Sequence, residues 1–138
     1  MPTAQDWIQA ARPRTLPLAV SGILMGNFLA AHQGYFDPLI GGLALLTAVL
    51  LQVLSNFAND YGDSVHGADN KERYGPERMV LSGAISFAGM KKGVIVAGAA
   101  ALLSGVATLI ASIEVIGWPA AILLFALGIA SIIAAYEY

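Results

Sequence analysis

The chain has 138 residues and a formal net charge of −2; 57% of it is hydrophobic and only 12% charged, with a mean hydropathy of +0.70. This composition excludes a water-soluble domain, and the near balance of charge excludes a nucleic-acid partner. There is no cysteine, which excludes disulfides, thiolate metal sites and cysteine nucleophiles, and His32 and His66 are too few for a histidine-based metal centre.

The N-terminal residues Met1 to Trp7 have no basic region ahead of an apolar stretch and no cleavage site, so the first hydrophobic segment is expected to stay in the membrane. Residues 4 to 12 place Trp7, Ile8 and Ala11 on one side and Gln5, Asp6, Gln9 and Arg12 on the other, the pattern of a short interfacial helix. Pro13 disfavours helix at Arg12, whereas Pro17 is tolerated in the first turn of a new helix. A first span follows over about 15–32. Its Gly22-x-x-x-Gly26 permits close helix approach. The turn from Gln33 to Pro38 carries Tyr35 and Phe36 at interfacial depth. A second span is expected over about 38–60, and a polar cytoplasmic loop over 61–91. The third span, about 92–113, has Gly93, Ala97, Ala101 and Gly105 at every fourth position, a small-residue packing seam. Gly117-Trp118-Pro119 marks the next turn, and a fourth span covers about 119–135 with its own seam at Ala126, Ala130 and Ala134. The predicted fold is an all-α membrane protein.

The second span ends in a change of character. Gln52, Asn56, Asn59, Asp60 and Asp63 follow at spacings of four, three, one and three, which puts all five on one stripe of a helix turning about 100° per residue. Val53, Leu54, Phe57 and Ala58 form the apolar remainder. Asn59 and Asp60 could simply end the helix, with Asp63 solvated in the loop. Against that, the stripe reaches inward to Gln52, where a helix stop has no function. Two carboxylates a turn apart at the edge of a membrane are costly unless a cation lies between them. Mg²⁺ fits, since it takes hard oxygen ligands and commonly shares them with a phosphate.

The seven Lys and Arg give the orientation. Arg12 and Arg14 precede the first span; Lys71, Arg73, Arg78, Lys91 and Lys92 lie in the long loop or at the entrance of the third; neither short turn has any. The positive-inside rule then puts the N-terminus, the acidic stripe, the long loop and the C-terminus in the cytoplasm. Asn59, Asp60, Asp63 and Asp69 thus share a face with Lys71, Arg73 and Arg78. That combination suits a metal-bound diphosphate, with carboxylates on the metal and basic groups on the remaining phosphate oxygens.

Arg12-Pro13-Arg14-Thr15-Leu16-Pro17, the stretch Leu54 to Asp63, Gly67-Ala68-Asp69, Gly75-Pro76-Glu77-Arg78 and Ser82-Gly83-Ala84-Ile85-Ser86 together resemble the UbiA-type intramembrane prenyltransferases. Within that family the resemblance is strongest to the branch that prenylates 1,4-dihydroxy-2-naphthoate in menaquinone synthesis. It implies a ring of transmembrane helices around a cavity, in a bacterial inner membrane, with a cytoplasmic active-site face. It also implies transfer of a polyprenyl group from polyprenyl diphosphate to 1,4-dihydroxy-2-naphthoate, with loss of CO₂ and diphosphate. By the same resemblance Asn59 and Asp63 fall on the first two Mg²⁺ ligand positions; with Asp60 of the stripe and with Asp69 they are the residues expected around the metal, Asp60 and Asp63 being the expected catalytic pair. The family's third ligand position is Gly67 here, and the next carboxylate is Asp69. Lys71, Arg73 and Arg78 are expected on the diphosphate, Arg12, Arg14 or Arg78 on the carboxylate of the aromatic substrate, and Gln52 and Asn56 in support of the stripe.

Members of this family carry a second aspartate-rich motif, and no N/D-x-x-x-D follows Asp69. The resemblance therefore implies the N-terminal half of a single domain, with the C-terminal half of the same enzyme as its partner. The competing expectation is a small four-helix membrane protein that binds a divalent cation or a lipid headgroup without catalysis. Half of an inverted-repeat transporter fits poorly, because the polar residues lie at a membrane edge and not at mid-depth.

Overall fold

A computed structural model describes residues 1–66 and 78–137, and every regular element among them is helical. Helix α1, Ala4–Ala11, begins with a capping box in which Thr3 Oγ1 accepts from the Asp6 amide and Asp6 Oδ2 accepts from the Thr3 amide. It ends at Arg12, whose φ of 49° is left-handed. A 3₁₀ turn, Pro13–Thr15, leads into α2, Leu16–His32. Gly34, at φ 77°, turns the chain, and Asp37 Oδ1 caps the next helix by accepting from the amides of Leu39 and Ile40 at 2.8 and 3.0 Å. Helix α3, Pro38–His66, and helix α4, Phe87–Glu137, complete the order.

Three stretches, Ala4–His32, Pro38–Val65 and Phe87–Ala135, are long and apolar enough to cross a membrane. The last would be about 74 Å long as a straight helix, against a hydrocarbon core of about 30 Å. It is not straight. Gly117, at φ 75° and ψ 162°, is non-helical and is followed by Pro119 inside the run. The two arms, α4a (87–116) and α4b (118–137), fold against each other: Leu109 and Leu124 line one cavity, as do Ala101 and Ile132. The glycine and the proline supply the break for one reason each, a backbone region closed to side chains and a missing amide.

Helix α3 is the element on which α1, α2 and α4 all pack. Towards the α1 end the core consists of Ala10, Leu54, Phe57, Met79, Ile85, Met90, Val94 and Ala97. Trp7 meets Phe57 edge to face at 5.5 Å. A Cβ on Gly93 would lie 2.6 Å from the Trp7 ring, so the absence of a side chain there is what lets α1 lie down on α4a. Deeper in the membrane the contact is hydroxylic. Thr47 Oγ1 lies 2.8 Å from Ser104 Oγ and 3.2 Å from Thr108 Oγ1, with Gly105 against the Thr47 methyl. Small residues bring the backbones close and hydroxyls join them, as expected where no water competes. By contrast, Gly22 and Gly26 face open space, and their motif packs on nothing among the described residues.

Helical structure outruns the predicted spans. Helix α3 continues to His66 and α4 starts at Phe87, where the Ser86 hydroxyl accepts from the Gly89 amide at 3.1 Å. Hydropathy marks where lipid ends, but backbone hydrogen bonding stops only at a breaker or a cap.

Two outcomes are expected. In a chain with no native cysteine, Gln33→Cys should react with an impermeant thiol reagent on intact cells and Ser64→Cys should not. Labelling of the position-64 variant from outside would invert the orientation. Gln33 is the better probe of its turn because Gly34 is left-handed. Separately, Gly93→Val should lower stability by about 1–3 kcal/mol through overpacking against Trp7, whereas Gly42→Ala, with nothing within 4 Å, should be neutral or better; thermal unfolding in detergent compares them.

Candidate functional site

The polar stripe of α3 divides into two parts with different partners. Asn56, 3% exposed, donates from Nδ2 to the Ala11 carbonyl at 2.8 Å and to Thr15 Oγ1 at 2.9 Å. Gln52 Nε2 donates to Thr15 Oγ1 and to Asn56 Oδ1, each at 3.4 Å. Thr15 Oγ1 in turn donates to the Arg12 carbonyl at 2.9 Å. The inner stripe therefore holds the α1–α2 junction against α3, and it fixes the backbone that carries Arg12.

One turn further on, Asp60 is 1% exposed. Its Oδ2 accepts from the Met79 amide at 2.9 Å and its Oδ1 from the Val80 amide at 3.4 Å. Arg78, immediately before, donates from Nη1 to the Asn59 carbonyl at 3.0 Å and forms a salt bridge with Asp63 Oδ2. Asp63 keeps 28% of its side chain exposed. The Arg78 guanidinium has its pKa lowered, first by burial and then by the nearby positive charge of Arg12, with Asp60 opposing the shift. The charge of Arg12, carried by another element, is thus felt at Arg78. Arg14 stands exposed on the 3₁₀ turn.

Asp60, Asp63, Asn59, Arg78 and Arg12 are brought together, while Asp69, Lys71 and Arg73 lie outside the described residues. Among the described residues no group of three or more His, Cys, Asp or Glu gathers as a metal site. The donors at hand are nevertheless of the right kind for Mg²⁺: Asp63 and Asn59 are hard oxygen donors, and this ion needs only one or two carboxylates when phosphate and water complete its shell. Sequence reasoning missed the amides of Met79 and Val80, the Ala11 carbonyl and Thr15. Only Thr15, within Arg-Pro-Arg-Thr, had a local signal.

Below the stripe, an apolar cavity of about 300 Å³ lies between α2, α3 and the two arms of α4, with Leu51, Leu109, Phe125 and Ile129 in its wall. From Leu51 to Asp60 is about 13 Å along the helix. An acidic and basic mouth therefore sits above a greasy chamber.

A profile of the UbiA prenyltransferase family matches residues 19–138. The chain is 50% identical over 103 residues to the 1,4-dihydroxy-2-naphthoate octaprenyltransferase of Escherichia coli (strain K12), over 75% of this chain and 33% of that protein. It is also 50% identical over 101 residues to the protein of the same name from Haemophilus influenzae, over 72% of this chain and 33% of that protein. UbiA prenyltransferase domain-containing protein 1 of Dictyostelium discoideum is 37% identical over 67 residues, 48% of this chain and 20% of that protein. The chain thus spans about a third of the length of the bacterial relatives. No solved structure matches it. The matched region contains nearly all of α2, the whole of α3 with its acidic end, and α4, and on that match the chain belongs to the UbiA prenyltransferase family.

Proposed function

We propose that this chain forms part of an enzyme that transfers a polyprenyl group from polyprenyl diphosphate to 1,4-dihydroxy-2-naphthoate, releasing diphosphate and CO₂ and giving demethylmenaquinol. The observation that carries this reading is Arg78 bridging the Asn59 carbonyl and Asp63 at the polar end of α3. A guanidinium and a carboxylate are thereby held where a diphosphate head would arrive from water while its tail stays in lipid. The half-identity to two naphthoate octaprenyltransferases supports the choice of substrates.

In this reading Asn59 and Asp63, with Asp69, would hold Mg²⁺, and the ion would supply neutralisation of the diphosphate as a leaving group. Arg78, with Lys71 and Arg73, would bind oxygens of the diphosphate. Arg12, stationed beside Arg78 by the Asn56 bridge, faces the carboxylate of the aromatic acid. The allylic C–O bond breaks towards diphosphate, a C–C bond forms at the ring carbon bearing the carboxylate, and that carboxylate leaves as CO₂. The surrounding apolar helices exclude water from the allylic cation, and the 300 Å³ cavity gives the first isoprene units an apolar wall. The matched stretch is only a third of each bacterial relative, and in this reading the further length completes the metal site and closes the trough.

Membranes expressing the natural reading frame test this directly. Asp63→Asn should lower turnover of prenyl diphosphate and dihydroxynaphthoate by at least about 100-fold, more than a supporting residue costs, without lowering the amount of folded protein. Wild-type turnover by this variant across a Mg²⁺ titration would refute the assignment. Residues 1–138 expressed alone should form no prenylated naphthoquinol, and product should return on co-expression with the remainder of the Escherichia coli relative. Product from 1–138 alone at the full rate would show a site complete in four spans.

A further inference from the structure

We infer that Asp60 is a positioning residue, which ties the 78–86 segment to α3 and so places Arg78, and that its carboxylate is not among the oxygens that ligate the metal. The inference rests on the reading of Arg78 as a phosphate contact. Asp60 and Asp63 share one stripe, so periodicity alone treats them alike. Their surroundings do not. Asp63 is 28% exposed and Asp60 1%. Both oxygens of Asp60 already accept main-chain amides, from Met79 at 2.9 Å and Val80 at 3.4 Å. Swinging the carboxylate outward to a cation would strand these donors, and Met79 itself is only 3% exposed.

The anchored segment is a folded plug. The Ser82 amide donates to the Arg78 carbonyl at 3.0 Å, the Gly83 amide to the Val80 carbonyl at 3.1 Å, and the Ile85 amide to the Met79 carbonyl at 2.9 Å. Met79 and Ile85 are buried in the core cluster. Because Met79 follows Arg78 directly, fixing its amide fixes the point from which the guanidinium reaches Asn59 and Asp63. A carboxylate at position 60 thus serves the phosphate site through main-chain hydrogen bonds, one residue removed from the arginine.

Hydrogen exchange and kinetics on the enzyme expressed from its natural reading frame test this. In the wild type the Met79 and Val80 amides should exchange slowly, with protection unchanged on adding Mg²⁺ and geranyl diphosphate. In Asp60→Asn they should exchange about tenfold faster, as for loss of one charged acceptor. The same variant should lose about 100-fold in kcat/KM for the prenyl diphosphate, the scale of a misplaced contact. Its half-saturating Mg²⁺ should stay that of the wild type, and it should add nothing further in an Arg78→Ala background. A tenfold rise in the Mg²⁺ requirement, additive losses with Arg78→Ala, or loss of wild-type amide protection on adding Mg²⁺ would each overturn the assignment. The exchange measurements on the wild type need no variant to fold. An inactive wild type would remove the proposed function, while those measurements would still decide what Asp60 holds.

Discussion

A carboxylate at the end of a membrane helix must be satisfied by something, and here the amides of Met79 and Val80 satisfy Asp60. Much of the polar end of the molecule depends on that contact. It brings the stretch after the long loop back onto α3 and delivers Met79 and Ile85 to the core just ahead of the start of α4 at Phe87. A second bond of the same kind runs from Asn56 to the Ala11 carbonyl. Between them, two neighbouring turns of α3 organise the chain on both of its flanks.

This arrangement separates two tasks that a polar stripe could have combined. The buried members, Asn56 and Asp60, have main-chain partners that are not free to leave. The half-buried members, Asn59 and Asp63, are the ones that the proposed function assigns to the ligand, with Arg78 paired to Asp63. Rigid inner contacts and exchangeable outer ones are what a preorganised site needs, because the groups that touch the ligand must not also be holding the fold. The Arg78 guanidinium, with its pKa lowered by burial and then by the like charge of Arg12, belongs to the same polar end.

The helices were legible because their signals are local. Apolar length marked the spans, the alternation around Trp7 marked α1, and Gly117 with Pro119 marked the reversal. The seam at Gly93, Ala97, Ala101 and Gly105 was legible too, although the stacking of Trp7 on Gly93 and the hydroxyl contacts of Thr47 were not. Periodicity gives the direction in which a side chain points and is silent about what will be there. For this reason Gln52, Asn56, Asn59, Asp60 and Asp63 read as one acidic and amide stripe, and only the fold assigns the first two to the α1–α2 junction and the other three to the 78–80 segment. Identity in sequence to its relatives then spoke to chemistry, which neither hydropathy nor packing could do alone.

The turn at Gly117 bears on how such a chain is made. A reversal built from one left-handed glycine leaves almost nothing polar between α4a and α4b, with Glu114 as the nearest charged side chain. The two arms can therefore enter the bilayer together as a preformed hairpin, so that the insertion machinery handles one hydrophobic unit with a single carboxylate near its turn. A longer hydrophilic link would oblige each arm to be threaded and oriented separately. Brevity at this turn thus leaves it without the basic residues by which topology is decided.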